Sequence, residues 1–185
     1  MLQWYWYIPL VWVAFYVWNR LSFLRSGKMP QLASRKRCCI VTGATSGIGL
    51  ETSKLLLDRG WHVGAFGVRG AFEEIKRYAA NSNGRLTCVK MDVRDADQCG
   101  KAIAEFLEAS NGNLDVLFNN AGVLATGPYS TIDTEKYDNI VRVNCLGVSH
   151  MTQKSIPALK ATVRFWFEHP EFAEVVLVIM RTVLL

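Results

Sequence analysis

An apolar run, Cys38-Cys39-Ile40-Val41, leads without a gap into Thr42-Gly43-Ala44-Thr45-Ser46-Gly47-Ile48-Gly49, and helical periodicity follows at once. That order reads as a buried strand, a tight glycine turn and the first turn of a helix. It constrains the segment to a β–α unit whose helix start points unpaired N–H groups past the end of the strand. Such a helix start presents donors and a positive dipole end to an anion, a phosphate in particular. Gly43 lets the chain turn sharply, and Gly47 and Gly49 lack the Cβ that would block a ligand or a neighbouring strand. The spacing Gly-x-x-x-Gly-x-Gly differs from the commoner Gly-x-Gly-x-x-Gly fingerprint, so its weight comes from the strand, turn and helix around it.

The chain beyond repeats the same alternation. Arg37–Thr42 is the first expected strand, and Ile48–Arg59 a helix with Ile48, Thr52, Leu55 and Leu56 on one face and Gly60 past its end. Trp61–Phe66 reads as a second strand, Ala71–Ala80 as a short helix, and Arg85–Met91 as a third strand after the turn Asn81-Ser82-Asn83-Gly84. Asp95 is placed to cap a helix over Ala96–Ser110, in which Ile103, Phe106 and Leu107 recur at helical spacing. Leu114–Asn119 is the fourth strand, and Thr134–Ser155 one long helix with Pro157 shortly after it. Four β–α units in succession predict an α/β fold, a doubly wound parallel sheet of four strands with helices on both faces. A length of 185 residues suits one core.

The net charge of +5 is local. Arg20, Arg25, Lys28, Arg35, Lys36 and Arg37 carry it, and from residue 38 onward 15 basic side chains face 16 acidic ones. A folded body near neutrality argues against a nucleic-acid partner. Five cysteines, Cys38, Cys39, Cys88, Cys99 and Cys145, are odd in number and lack metal-ligand spacing, which points to reduced thiols and no metal. His62 and His150 have no acidic or cysteine partner in sequence.

Residues 2–18 are apolar and aromatic apart from Gln3, and Leu21, Phe23 and Leu24 extend the run to about the length a bilayer core requires. Trp4, Tyr5, Trp6 and Tyr7 at one end and Trp18 at the other resemble interfacial aromatic belts. No basic stretch precedes the run and no small-residue cleavage site follows it, so a cleaved signal is not expected. The basic cluster after it predicts a cytosol-facing body, on the endoplasmic reticulum or another internal membrane in a eukaryotic cell. Residues 2–24 are expected to hold the membrane, by spanning it or, because Arg20 interrupts the run, by lying in its interface; a soluble packing helix is the third reading. The resulting organisation is an anchor helix over 1–25, a basic linker over 26–36, a partial nucleotide-binding domain over 37–162 and a divergent tail over 163–185.

Thr42–Gly49, Asp92-Val93 after the third strand, Asn119-Asn120-Ala121-Gly122 after the fourth, and Asn144 within Val143-Asn144-Cys145-Leu146-Gly147 together resemble the short-chain dehydrogenase/reductase family. The resemblance covers about residues 36–162. It implies a Rossmann-like fold and an oxidoreductase that exchanges a ketone and an alcohol with a nicotinamide dinucleotide. It also implies that Gly43, Thr45, Ser46, Gly47, Ile48 and Gly49 lie by the cofactor phosphates. Asp92 and Val93 would hold the adenine, Asn120, Ala121 and Gly122 would border the ribose, and Asn119 would tie the sheet together. NAD enzymes of this fold usually place an acid at the end of the second strand. Here Ala65-Phe66-Gly67-Val68-Arg69-Gly70 carries Arg69 instead, whose guanidinium can pair with a 2′-phosphate, so NADP is preferred over NAD.

The family's proton donor is a tyrosine tuned by a lysine four residues later, supported by a serine, and Asn144 would complete the relay through water. No tyrosine follows Tyr137, and Tyr78, Tyr129 and Tyr137 have Ser82, Asp133 and Val141 at +4. Of the catalytic set only Asn144 is present, which leaves turnover by this chain open and makes cofactor binding the stronger expectation. After Thr162 the family pattern breaks. Either Glu174–Met180 supplies a displaced fifth strand, or the segment comes from an alternative transcript or a misassigned gene end; the second reading is preferred, with the chain truncated before its catalytic segment. An anchor suggests a lipophilic substrate. The alternatives are a non-catalytic dinucleotide-binding or regulatory module that pairs with itself or a full-length relative through the helix 134–155, and a truncated product without function.

Overall fold

The computed structural model describes residues 36–125, 133–167 and 179–180. Among them the elements run β1 (Cys38–Thr42), α1 (Gly47–Asp58), β2 (His62–Gly67), α2 (Glu73–Ala79), β3 (Arg85–Lys90), α3 (Ala96–Ala109) and β4 (Val116–Asn119). There follow α4 (Thr134–Val141), a π-helical segment (Arg142–Leu146), α5 (Gly147–Phe167) and β5 (Ile179–Met180). The strands form one parallel sheet in the order β3-β2-β1-β4-β5.

Alternation along β1 explains why this sheet needs helices on both sides. Cys38 and Ile40 face one core, with Cys99, Ile103 and Phe106 of α3 and Met151, Ala158 and Leu159 of α5. Cys39 and Val41 face the other, with Leu50, Leu56 and Leu57 of α1 and Ile75 of α2. A strand buried on both faces reads as a continuous apolar run, as Cys38–Val41 does. Gly64 in β2 keeps one contact tight, since a Cβ there would stand 2.7 Å from Phe106 Cδ2. His62 is buried beside the Phe106 ring, 4.9 Å between centroids, with Nε2 2.8 Å from Thr87 Oγ1. Burial first, then the charges of Arg85 and Lys36, pull its pKa from 6.5 down to about 4.

The doubly wound parallel architecture agrees with the expectation, and four details differ. The sheet has five strands, not four, because Ile179 and Met180 pair with Phe118 and Asn119 and cover part of what would otherwise be an open edge of β4. The reading of a fifth strand therefore holds for those two residues. On α1 the buried side chains are Leu50, Ser53, Leu56 and Leu57, while Ile48 and Leu55 are exposed. The long helix does not stop near Ser155 but continues through Pro157 to Phe167, past the expected boundary at 162. A proline costs one internal hydrogen bond, and packing of Met151, Ala158 and Leu159 into the core outweighs that loss. Finally, the helix is not uniform: Arg142–Leu146 widens to π geometry. Among the described residues no helix is long and apolar enough to cross a membrane, and residues 2–24 lie outside them.

Candidate functional site

In an open parallel sheet the crevice lies at the carboxyl ends of the strands where the order reverses. Here β1 is followed by β2 on one side and has β4 on the other, so the reversal falls between β1 and β4. The two loops there are bound to each other. Thr42, at the end of β1 and buried, donates its hydroxyl to Phe118 O (3.3 Å) and accepts from Asn120 N (3.0 Å) and Ala121 N (2.9 Å). Asn120 Nδ2 returns a bond to Thr42 O (3.0 Å) and reaches Gly43 O (3.4 Å). Glycines make this contact possible. A Cβ on Gly49 would come within 2.4 Å of Asn120 Nδ2, and one on Gly43 within 3.0 Å of Ala121 Cα.

Above these loops opens a cleft of about 390 Å³. Its floor is the β1–α1 turn, where Gly43 and Gly47 adopt φ of +67° and +54°. A Cβ at Gly47 would meet nothing within 4 Å, so the turn is open toward the cleft. Ser46 stands at the N-cap of α1 without a side-chain cap bond, and no acidic residue occupies the first turn. The first amides of α1 therefore keep donors for an anion. Gly67, Val68 and the exposed Arg69 at the end of β2 line one wall, and Met91, Asp92, Val93 and Arg94 after β3 line another.

The turn after β3 is held from several directions. Arg94 donates from its backbone N to Asp92 Oδ1 (2.9 Å), from Nε to both carboxylate oxygens (3.0 and 2.9 Å) and from Nη2 to Oδ2. The same guanidinium reaches Asn139 Oδ1 on α4 at 2.7 Å. These hydrogen bonds to Arg94 hold the Asp92 carboxyl below the usual carboxylate range. Asp92 N donates to Gln98 Oε1 (3.1 Å), and Gln98 in turn is tied to the helix cap Asp95. His150 Nδ1 donates to Val93 O (3.0 Å), and Gly147 lets Val93 pack where a Cβ would stand 2.7 Å away.

Of the site residues expected from the sequence, Gly43, Thr45, Ser46, Gly47, Ile48, Arg69, Asp92, Val93, Asn120, Ala121 and Gly122 all line this cleft. Gly49 lies behind the turn, in the contact with Asn120. Asn119 is buried and donates to Thr152 Oγ1 on α5 (3.1 Å), a bond that joins sheet to helix. Asn144, in the π segment, spends both ends of its amide on Val123: Oδ1 accepts from Val123 N (2.9 Å) and Nδ2 donates to Val123 O (3.0 Å). It thereby fixes the chain just after the Asn120–Gly122 turn. Sequence reasoning missed Thr42, Arg94 and Asn139 as site residues. Arg94 could have been suspected from the charge pair Asp92-x-Arg94, whereas Asn139 lies 45 residues away from it and left no local signal.

A family model described as short chain dehydrogenase matches residues 37–164. The chain belongs to the short-chain dehydrogenase/reductase family. It is 32% identical over 133 residues to a short-chain dehydrogenase of Penicillium roqueforti, a match covering 70% of this chain and 52% of that protein. It is 31% identical over 122 residues to the 3-oxoacyl-(acyl-carrier-protein) reductase of Thermotoga maritima, covering 65% of this chain and 49% of the reductase. Among solved structures it resembles an NADH-dependent reductase responsible for alginate metabolism, also solved with NAD, at a TM-score of 0.65 and 27% identity over 72% of this chain and 55% (with NAD, 56%) of that one. The 185 residues thus span about half the length of these short-chain dehydrogenase/reductase relatives.

Proposed function

We propose that the cleft binds a nicotinamide adenine dinucleotide, NADP(H) in preference to NAD(H), and that this chain is the cofactor-binding part of a ketone or alcohol oxidoreductase. The observation that carries this reading is the uncapped start of α1 opening into the cleft at the sheet's reversal point. The residues present fit the group. The α1 amides and the bare Gly47 turn suit a pyrophosphate, Asp92 an adenine amine, and Asn120 to Gly122 a ribose edge. When bound, such a cofactor supplies or accepts hydride; the chain's own residues bind and orient it. Among the described residues Arg69 has no ion-pair partner, and it lines the wall where a 2′-phosphate would add two negative charges. Calorimetry on the full chain tests both parts. NADPH should bind at least several-fold tighter than NADH, and Arg69→Glu should remove that preference while sparing NADH. No heat from either at millimolar concentration refutes the reading.

A second reading has its own support. No tyrosine in residues 1–185 is followed by a lysine four positions on, so the family's proton donor is not among them. Cofactor binding without turnover, as a module pairing through α4 and α5, fits that composition, and Tyr137, Val141 and Leu146 expose apolar surface on this stretch. NADPH-dependent turnover by the purified chain excludes it. Attachment to a membrane through residues 2–24, with the body in the cytosol and a lipophilic substrate, is part of the proposal. It rests on the apolar, belt-flanked composition of that run. Release of the protein by alkaline washing of vesicles would count against it.

A further inference from the structure

The amino-terminal end of the sheet, opposite the cleft, gathers positive charge. Lys36 and Arg37 precede β1, Arg59 closes α1 and Arg85 opens β3; all four are exposed. Backbone bonds hold these points side by side, since His62 N donates to Arg37 O (2.8 Å) and Arg85 N to Trp61 O (2.9 Å). Trp61 lies among them, half-buried against the α1–α2 core, with the Arg37 guanidinium carbon 5.6 Å from its ring centroid. Among the described residues none of the four cations is in an ion pair. Asp58, next to Arg59, accepts from the Tyr78 hydroxyl (2.6 Å), and Asp115, beside the start of β1, accepts from Cys38 N (2.7 Å). Glu108, near the end of α3, belongs to the layer across the sheet. Four like charges grouped in this way repel one another until an anion from outside meets them.

We propose that this face, formed by Lys36, Arg37, Arg59 and Arg85 around Trp61, docks on an anionic lipid leaflet. Cations around an amphipathic indole are the side chains that a charged membrane–water interface favours, each Lys or Arg adding attraction to acidic headgroups. Chain continuity points the same way. Residues 25–35 carry Arg25, Lys28 and Arg35 and no acid, and they join Lys36 to the apolar run 2–24. A nucleic acid fits less well, because the body from residue 38 onward is near neutrality. Docking by this end leaves the cleft one strand length away, about 17–20 Å, and open to the water from which a soluble dinucleotide arrives. The contact is electrostatic, so it holds whether residues 2–24 span the bilayer or lie in its interface.

Hydrogen exchange tests this on the full chain bound to vesicles of phosphatidylcholine, alone or with phosphatidylserine added. With phosphatidylserine, the amides of residues 36–37, 59–61 and 82–85 should exchange several-fold more slowly than on phosphatidylcholine, while the cleft turns 46–48 and 120–123 should not change. High salt should erase the difference. A triple variant, Lys36→Gln with Arg59→Gln and Arg85→Gln, should lose it as well, with its thermal unfolding unchanged. Should that variant fail to fold, the salt series on the unaltered chain carries the same comparison. Equal exchange on the two vesicles overturns the proposal and leaves attachment through residues 2–24 standing. Slowing that survives in the folded triple variant or in high salt also overturns it. Association with neither vesicle refutes both the docking face and the attachment. Slowing of the same amides by a single-stranded RNA, with none from vesicles, would assign the face to a nucleic acid and overturn the lipid reading.

Discussion

Thr42 shows how much one side chain can organise. Its hydroxyl uses its donor on Phe118 O and accepts from two successive amides, Asn120 N and Ala121 N. Valine has the same shape and none of that capacity. Thr42→Val would leave two N–H groups facing an apolar methyl in a buried setting. A loss of about 1–3 kcal/mol is expected from the unsatisfied groups. Urea denaturation should show the drop, and Thr42→Ser should restore most of it. Dinucleotide affinity should fall in step, because the same bonds shape the cleft. Equal midpoints for Thr42→Val and the unaltered chain would mean that the β1–β4 junction is held by something else.

Between elements, the decisive contacts are those that sequence periodicity cannot resolve. The existence of β1 through β4 and of α1 through α3 was legible, because each carries an apolar run or a helical repeat bounded by Gly, Asn or Asp. The face of α1 was not. Leu55-Leu56-Leu57 offers three consecutive leucines, and only the sheet decides that Leu56 and Leu57 go in while Leu55 stays out. The site shows the same division. Its glycine turn, Asp92 and the Asn120 loop were legible as local motifs, whereas the Arg94–Asn139 bond joins the turn after β3 to a helix 45 residues further along the chain. Gly64 and Phe106 give an element-scale test, since a Cβ on Gly64 would stand 2.7 Å from the ring. Gly64→Ala should destabilise by about 1–3 kcal/mol through overpacking of β2 against α3. Combined with Phe106→Leu, the loss should be smaller than the sum of the two single losses. Strict additivity, measured as a double-mutant cycle in urea, would show that β2 and α3 do not press on each other there.

For the molecule as a whole, the buried imidazole sets the response to acid. His62 titrates near 6.5 when exposed and near about 4 in the folded chain, so the unfolded state takes up its proton first as pH falls. Stability from this group is full above pH 6.5 and is lost progressively down to about pH 4. The total is about 3 kcal/mol at most. His62→Asn should flatten the stability profile across that window, whatever it does to the plateau. The depressed carboxylates of Asp92, Asp95 and Glu74 act at lower pH, because each loses its stabilising contribution only as pH drops through its own reduced value. A profile that stays sloped between pH 6.5 and 4 in the variant would assign the acid sensitivity to other groups.

The two neighbouring thiols of β1 point into opposite cores at the middle of the sheet, and burial drives the Cys39 thiol far above the range where a thiolate forms. Cys145, by contrast, is exposed on the π segment. An alkylating reagent added to the native protein therefore meets Cys145 first, and Cys39 becomes modifiable only in the instants when the central strand is laid bare. The chain carries its own clock for how often its centre comes apart, readable from the order in which its sulfurs are capped.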